Sequence, residues 1–400
     1  MITASHNPVT DSGIKIFDNT GIKSNLVLEN QLSELIFQLA SEEREIDDID
    51  ELELCIPDAT FDADKAHQEL IVVRYAEFTA LFSSPVIEKI YVDSSKGSPV
   101  KWLTNFLKMQ GIDAIEVSND AVALNHNCGA GNLSPTDSWT WLEAARSDHL
   151  LINSLEKTEP GKIIGAALDG DGDRCLLIQS TEMGCRVVDG DEMADHILRT
   201  VSGDWTLAAS IESDLSLSSS LDRLAANVEF IETAVGDRWL AYALMDKSNN
   251  IIGVEDSGHL ILSSPHPYGG RTLVGDGVAS LLAVLCAISV ENKCREFEKG
   301  YKSRISIKDT NRNLWTGDNE LADQIKHIAS TVMDGLIQKS IDGENNLMLL
   351  IGEGVSIGIR NSGTQAKTNI SLRCSPGIET EKPRKIVTLI EKTLSEALKN

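Results

Sequence analysis

The sequence predicts an α/β protein in which successive strand–helix units are followed by a small α+β domain. Strand-like runs alternate with amphipathic stretches from residue 87 onward, and the alternation starts again near residue 185. In each round a polar loop directly follows a strand, which is where open α/β sheets place their ligands. Residues 299–400 differ in pattern, because several strands are closed by one C-terminal helix.

Two helical patterns precede the first strand, over residues 26–39 and 64–82, with apolar residues recurring every three or four positions. The acidic tract Glu42–Glu53 between them is typical of a solvated surface segment, and we assign it no function. The first round then predicts a parallel, doubly wound sheet. Its predicted elements are the strands 89–93, 114–117 and 163–168 and the helix 100–109.

The second round repeats the pattern, which indicates repeated architecture rather than one large sheet. Its predicted helices are 191–200, 217–226 and 238–246, and its predicted strands are 205–211, 228–231 and 251–254. An apolar helix over 278–290 separates it from the last section. That section is predicted to hold the strands 304–307, 347–351, 355–359 and 369–372 and the helix 384–398.

The composition excludes several classes of function. The formal net charge of −25, from 61 acidic and 36 basic residues, argues against nonspecific binding to nucleic acids or anionic membranes. An anionic substrate would therefore need a local positive cleft. The chain shows neither a long apolar run nor a secretory signal at its start, and its seven cysteines are scattered without a CxxC motif. We expect a reduced, cytoplasmic protein without a zinc cluster.

The stretch TASHNP at positions 3–8 contains the first chemical candidate, Ser5. The serine lies in a short polar loop beside His6, and Lys15 follows shortly after. A neighbouring base or positive charge is what a serine hydroxyl needs to react, so Ser5 suits a nucleophilic or phosphate-carrying role. An ordinary N-terminal turn remains the alternative.

The loop DGDGDR, positions 169–174, alternates three aspartates with glycines. In an extended loop Asp169, Asp171 and Asp173 point the same way, and three hard oxygens suit Mg²⁺. Arg174 adds a guanidinium group for a phosphate. The alternatives are a plain turn or a calcium loop, and the second is weakened because Ser180 stands at the twelfth position.

Two further loops offer groups for a sugar and a phosphate. Glu255, Ser257 and His259 are spaced by two, so in an extended loop they would share one face and contact sugar hydroxyls. The alternative for His259 is a purely structural histidine. The loop that follows the strand 355–359 supplies a guanidinium group, hydroxyls and a glycine-centred backbone, an inventory that suits a phosphate nest. Its candidate residues are Arg360, Ser362, Gly363 and Thr364, and the alternative is a polar hairpin.

Taken together, the order and placement of these four loops resemble the α-D-phosphohexomutase superfamily over nearly the whole chain. In that superfamily the TASHNP serine is phosphorylated, DGDGDR binds Mg²⁺, a GExSGH loop reads the sugar and an RPSGT-type loop binds the substrate phosphate. The resemblance implies catalytic roles for Ser5, His6, Lys15 and Arg174 and metal ligands at Ser5, Asp169, Asp171 and Asp173. It implies substrate binding by Glu255, Ser257, His259, Arg360, Ser362, Gly363 and Thr364.

The resemblance also implies an activity: an intramolecular phosphotransferase that interconverts sugar 6-phosphate and 1-phosphate through a phosphoserine and a hexose 1,6-bisphosphate. Three segments are similar to those of phosphoglucosamine mutases, which favours glucosamine phosphate; they are 125–130, 188–191 and 235–238. The alternatives are a phosphomannomutase/phosphoglucomutase, an inactive truncated sugar-phosphate-binding relative and a phosphatase that uses the aspartate loop.

The fold that the resemblance implies is three related α/β domains, the first truncated, and a small C-terminal domain around a central cleft. The expected boundaries are 1–86, 87–184, 185–298 and 299–400. The sequence departs from the family pattern at its start, which falls at the serine loop, and in the phosphate loop at Asn361, Gln365 and Ala366. We expect a monomer or homodimer that binds a small sugar phosphate.

Overall fold

The structure, a computed structural model, describes residues 1–18, 21–41, 62–266, 269–291, 294–344, 346–362 and 366–399. Over these ranges it is a mixed α/β protein with several sheets, as the sequence predicts. The predicted domain boundaries stay predictions. The acidic tract Glu42–Glu53 lies outside the described residues.

The N-terminal part consists of a short antiparallel hairpin and two helices. Their bounds are β1 Ile2–Thr3, β2 Gly13–Ile14, α1 Leu26–Ser41 and α2 Ala63–Leu81. Both predicted helices are confirmed. The Asp62 side chain caps α2 by accepting a hydrogen bond from the backbone N–H of Lys65, 3.0 Å away.

The second sheet has the strand order β4-β3-β6-β7-β8-β5. Its strands are β3 Lys89–Asp93, β4 Asp113–Glu116, β5 Ser138–Thr140, β6 Ile163–Leu168, β7 Cys175–Ser180 and β8 Gly184–Val188, and its helices are α3 Leu103–Met109, α4 Trp141–Ala144 and α5 Leu150–Ser154. The parallel pairing expected for the three predicted strands is confirmed, and the sheet is extended by three strands that the sequence analysis did not predict. β3, β4 and β6 are parallel, but β7, β8 and β5 are antiparallel. The connection 169–174 is too short for a crossover helix, so the chain must return antiparallel.

The third sheet has the order β10-β9-β11-β12, with only β12 antiparallel. The elements of this part are α6 Gly190–Leu198, β9 Gly203–Ser210, α7 Leu215–Ser219, β10 Ala226–Thr233, α8 Asp237–Leu244, β11 Asn250–Val254, β12 Leu260–Leu262, the small hairpin β13 Ser264–Pro265 and β14 Arg271–Thr272, and α9 Gly277–Ile288. The predicted helix 217–226 is wrong in length. α7 ends at Ser219 because Ala226 already pairs with Gly203 in the parallel ladder, and tertiary pairing overrides local propensity.

The C-terminal sheet is antiparallel, in the order β15-β19-β18-β17-β16. Its elements are β15 Tyr301–Lys308, α10 Glu320–Val332, β16 Ile337–Lys339, β17 Leu347–Gly352, β18 Val355–Asn361, β19 Lys367–Cys374 and α11 Glu381–Ala397. One face is apolar and forms a separate core with α10 and α11. The other face is polar and turns toward the rest of the molecule.

The helix α9 lies at the centre of the main core. Its residues from Gly277 to Ala287 are all buried, and the same core includes residues of α2, β3, β6 and β9. The helix therefore joins α2 to the second and third sheets, which fixes the loops at the sheet edges relative to one another. Among the described residues, no helix combines the length and the apolar character that crossing a membrane requires.

Candidate active site

The turn at residues 3–8, here called the serine turn, lies against the loop at residues 169–174, here called the aspartate loop. Ser5 Oγ is 3.3 Å from Asp169 Oδ2, and the Thr3 hydroxyl donates to Asp171 Oδ2 over 2.9 Å. The backbone N–H of Gly170 donates to the Ser5 carbonyl at 3.1 Å. Two loops more than 160 positions apart are thus joined through side chains and backbone.

The turn that carries Ser5 is held in an uncommon conformation. Ser5 has a φ of 51°, in the left-handed region that non-glycine residues seldom occupy. Its N–H donates to Thr3 Oγ1 at 2.8 Å, and its carbonyl accepts from the Asn125 side-chain amide at 2.8 Å. A Cβ atom at Gly170 would lie 2.6 Å from that carbonyl oxygen, so this close approach requires glycine. Sequence reasoning did not assign Thr3 and Asn125 this positioning role.

The three aspartates converge as the alternating pattern predicts. They can each offer an oxygen atom within 4.8 Å of the others. The Oδ1 atoms of Asp171 and Asp173 are buried without a hydrogen-bond partner, whereas Asp169 Oδ1 accepts from the N–H groups of Asp173 and Arg174. Unsatisfied buried carboxylate oxygens beside a serine hydroxyl are a donor set that fits a hard divalent cation.

The electrostatics of the aspartate loop are uneven. Burial, together with the charge of Asp173, raises the pKa of Asp169 to about 7. Burial acts in the same direction on Asp173, but His259 and Lys15 outweigh it and hold the pKa of Asp173 well below its usual range. The loop therefore keeps charged and protonatable carboxyl groups side by side.

Lys15 lies over the aspartate loop, with Nζ 2.6 Å from Asp171 Oδ2 and 2.8 Å from Asp173 Oδ2. Burial lowers its pKa, but the charges of the two aspartates outweigh burial and raise the pKa above its usual value. The side chain is thus a protonated ammonium group in this arrangement.

His6 packs closely against the loop that follows β4. A Cβ atom at Gly131 would come within 2.5 Å of His6 Cβ, and His6 Nδ1 is buried without a hydrogen-bond partner. Burial and the charge of Arg174 lower the pKa of His6 to about 4, and the charge of Lys367 acts in the same direction. His6 is therefore a neutral imidazole near pH 7.

The loop at residues 255–259 between β11 and β12, here called the sugar loop after its predicted role, contacts the aspartate loop through His259. This buried side chain has Nε2 3.4 Å from Asp173 Oδ2 and Nδ1 3.6 Å from Glu255 Oε2. Burial lowers the pKa of His259, but these carboxylates and Asp237 outweigh burial and raise the pKa to about 10. Glu255 is also buried, so Ser257 is the one predicted sugar ligand of this loop that is partly exposed.

Arg174 lies between the two loops. Its Nε is 3.9 Å from Asp169 Oδ2 and 4.0 Å from Asp173 Oδ1, and it lacks a hydrogen-bond partner. Its backbone forms a bridge with His259, which ties the aspartate loop to the sugar loop. A half-buried guanidinium group whose Nε donor is unused is available to an oxyanion.

The fourth predicted loop is described in part. Arg360 lies at the end of β18, with Nη2 3.2 Å from Glu212 Oε1, and the Ser362 carbonyl accepts from Arg312 at 2.9 Å. Gly363 and Thr364 lie outside the described residues. The roles of Arg360 and Ser362 as phosphate ligands stay predictions.

The polar face of the C-terminal sheet places further basic residues around Arg360, among them Lys302 and Arg304, which the sequence analysis did not identify. Residues directly opposite in an antiparallel ladder share a face, so the register places six cations together. This set, here called the basic face, is Lys302, Arg304, Lys308, Arg360, Lys367 and Arg373. The signal was present, because lysine or arginine recurs with the period of two of a strand at positions 302, 304 and 308.

Comparisons with known proteins agree with this fold. Residues 189–303 match the family described as phosphoglucomutase/phosphomannomutase, alpha/beta/alpha domain III, and residues 1–43 match its domain I. Two separate segments of the chain are thus similar to phosphoglucomutases and phosphomannomutases.

Among its relatives, a phosphoglucosamine mutase of Rhizobium etli (strain CIAT 652) is 28% identical over 313 residues, which are 74% of this chain and 61% of that protein. This chain thus spans about three-fifths of the length of that relative. A phosphoglucosamine mutase of Histophilus somni (strain 2336) is 28% identical over 382 residues, 94% of this chain and 74% of that protein.

Solved structures show the same architecture. One of them is an N-acetylglucosamine-phosphate mutase in its product complex, a member of the α-D-phosphohexomutase superfamily. It superposes on this chain with a TM-score of 0.64 and 15% identity, over 98% of this chain and 88% of that chain. A phosphoglucomutase/phosphomannomutase family protein from Burkholderia thailandensis has a TM-score of 0.64 and 18% identity, over 99% and 76% of the two chains. At these identities the likeness concerns the fold.

Proposed function

We propose that this protein is a phosphohexomutase, which interconverts sugar 6-phosphate and 1-phosphate through a phosphoserine at Ser5. The observation that carries the proposal is the position of Ser5 Oγ, 3.3 Å from Asp169 Oδ2, beside two aspartates with unsatisfied buried oxygens. Phosphoryl transfer depends mainly on positioning and on charge stabilisation, and this arrangement offers both.

In the proposed reaction Ser5 carries the phosphoryl group and Lys15 transfers the proton. In the forward step the free sugar hydroxyl attacks the phosphorus of phosphorylated Ser5, and the bond from phosphorus to Oγ breaks. Lys15 donates its proton to Oγ and receives the hydroxyl proton, so the number of protons is conserved. The bisphosphorylated sugar then turns over in the cleft and returns its other phosphoryl group to Ser5.

A divalent cation fits the site by the chemistry of its donors. Ser5, Asp169, Asp171 and Asp173 would hold Mg²⁺, whose positive charge would offset the charge of the carboxylates and the phosphoryl oxygens. Arg174 would steady the transferring group. His6, kept neutral by its surroundings, packs beside the nucleophile without adding charge.

The substrate we propose is a glucosamine phosphate, with glucosamine 1,6-bisphosphate as activator and intermediate. The support is the relatives named phosphoglucosamine mutase. Ser257, with the Glu255 carboxylate 3.5 Å from its hydroxyl, would contact sugar hydroxyls in both orientations, while Arg360 and Ser362 would bind the phosphate that is not being transferred. The enzyme would act on free sugar phosphates in the cytoplasm.

Phosphorus NMR of a reaction with glucosamine 6-phosphate, the bisphosphate and Mg²⁺ tests this proposal. We expect glucosamine 1-phosphate to accumulate with the wild-type protein and not with Ser5→Ala. Isomerisation by Ser5→Ala would contradict the phosphoserine route. Release of inorganic phosphate without isomerisation would indicate a phosphatase, and faster turnover of glucose or mannose 6-phosphate would correct the substrate.

A further inference from the structure

The carboxylate of Glu212 lies between two arginines of the basic face. Glu212 follows β9 and is 8% exposed. Its Oε2 lies 2.7 Å from Arg304 Nη2, and its Oε1 lies 3.2 Å from Arg360 Nη2 and 3.3 Å from Arg360 Nε. Each oxygen of the carboxylate thus engages a different arginine of the C-terminal sheet.

Positive charge is in excess at one end of the basic face. Other cations of the basic face have their own carboxylates, since Lys302 Nζ is 2.8 Å from Asp256 Oδ2 and Arg373 Nη2 is 3.2 Å from Glu232 Oε1. Among the described residues, Lys308 and Lys367 form no ion pair, although they lie directly opposite each other at the end of the ladder. Like charges in that position repel, so this end of the face has capacity for a further anion.

The titration of Lys367 agrees with that geometry. Burial and the charges of Arg304, Arg360 and Lys308 lower the pKa of Lys367, and the opposing effect of Glu212 is smaller. An incoming phosphate dianion would relieve this excess of positive charge.

A phosphate bound by Arg360 would need the same N–H groups that Glu212 occupies. Arginine binds carboxylate and phosphate through the same planar fork of donors, so the two anions compete for it. The Glu212 side chain also lines a cavity of about 350 Å³ together with Ser134 and Arg304, which gives the displaced carboxylate space to move.

We propose that Glu212 is a displaceable anion that occupies the phosphate-binding arginines and links the third sheet to the C-terminal sheet until a substrate phosphate replaces it. The proposal rests on the proposed function only in taking Arg360 as a phosphate ligand. Glu212 therefore lowers the affinity for phosphates and favours dianionic ligands over weaker anions. It is a specificity-determining residue and takes no part in the chemistry of transfer.

The test is calorimetric binding of glucosamine 6-phosphate and of inorganic phosphate to the full chain at fixed ionic strength. Glu212→Gln keeps the shape of the side chain but removes its charge, so we expect both ligands to bind about 10-fold more tightly. The matched control is Glu229→Gln in the same sheet, whose carboxylate is 2.7 Å from Lys247, and its affinities should equal those of the wild type.

Unchanged or weaker binding by folded Glu212→Gln overturns the proposal, as does the absence of phosphate binding by both proteins. Should Glu212→Gln not fold, Glu212→Asp replaces it, because a shorter side chain loosens the same contacts, and a lack of any gain in affinity is again contradictory. The proposed function is tested by turnover and this inference by a ratio of affinities, so each can fail while the other stands.

Discussion

Lys15 Nζ lies 2.6 Å from Asp171 Oδ2, across 156 positions of the chain. A second contact, 2.8 Å to Asp173 Oδ2, places the ammonium group over the oxygens that a divalent cation would use. Lysine and cation are therefore competitors for the same carboxylates as well as partners in the proposed reaction.

Replacing Lys15 should separate metal binding from turnover. In Lys15→Gln the positive charge between the two aspartates is gone, so Mg²⁺ should bind about 10-fold more tightly. Turnover should fall by about 100-fold or more, because the proton carrier is lost. Calorimetry with Mg²⁺ and a coupled mutase assay measure the two effects. Lys65→Gln, which changes an exposed ion pair on α2, is the control. An unchanged Mg²⁺ affinity in Lys15→Gln would show that the ammonium group and the cation do not share these oxygens.

The close approach of Gly170 to Ser5 gives a second prediction. In Gly170→Ala the new Cβ atom would lie 2.6 Å from the Ser5 carbonyl oxygen, so the serine turn must shift. A displacement of this size at the nucleophile should lower kcat by about 100-fold. Gly13→Ala, where nothing lies within 4 Å of the added Cβ, should keep its activity. Equal activity in both variants, with equal melting temperatures, would show that the position of the serine turn does not determine turnover.

The contact between α2 and the start of α9 predicts a pH-dependent stability. His67 Nε2 is 2.9 Å from Asp276 Oδ2. Burial lowers the pKa of His67, but the bond to Asp276 and the charge of that carboxylate outweigh burial and raise the pKa above 6.5. The stabilisation is therefore present in full below pH 6.5 and is lost as the pH rises through the raised pKa.

Thermal unfolding of His67→Gln against the wild type measures the stabilisation that the contact of His67 with Asp276 provides. Because the histidine is partly exposed, we expect a loss of roughly 0.5 kcal/mol or less at pH 5.5, shrinking further by pH 8.5. His327→Gln, an exposed histidine on α10, should show no such trend. A loss for His67→Gln that grows with pH would have the wrong sign for a charged histidine.

The sequence predicted what depends on neighbours along the chain. The carboxylates of the aspartate loop alternate over five positions, so their convergence follows from the local backbone. The helices α1, α2 and α9 and most of the strands follow from apolar periodicity in the same way.

What the sequence did not predict depends on pairs distant in the chain. Glu212 and Arg360 are separated by 148 positions, and no local pattern indicates that they meet. The predicted helix 217–226 is too long, because its last residue, Ala226, is the first residue of β10 and pairs with β9. The antiparallel returns after the aspartate and sugar loops were missed because loop length sets strand direction, and the partner strands β7 and β12 had not been recognised.

The most direct measurement for the central claim is the intact mass of the purified protein before and after incubation with glucosamine 1,6-bisphosphate and Mg²⁺. We predict a gain of one phosphoryl group that maps to Ser5, is absent in Ser5→Ala and is lost when glucosamine monophosphate is added. A folded protein that gains no phosphoryl group, or gains one elsewhere, would contradict a phosphoserine mutase built on this site.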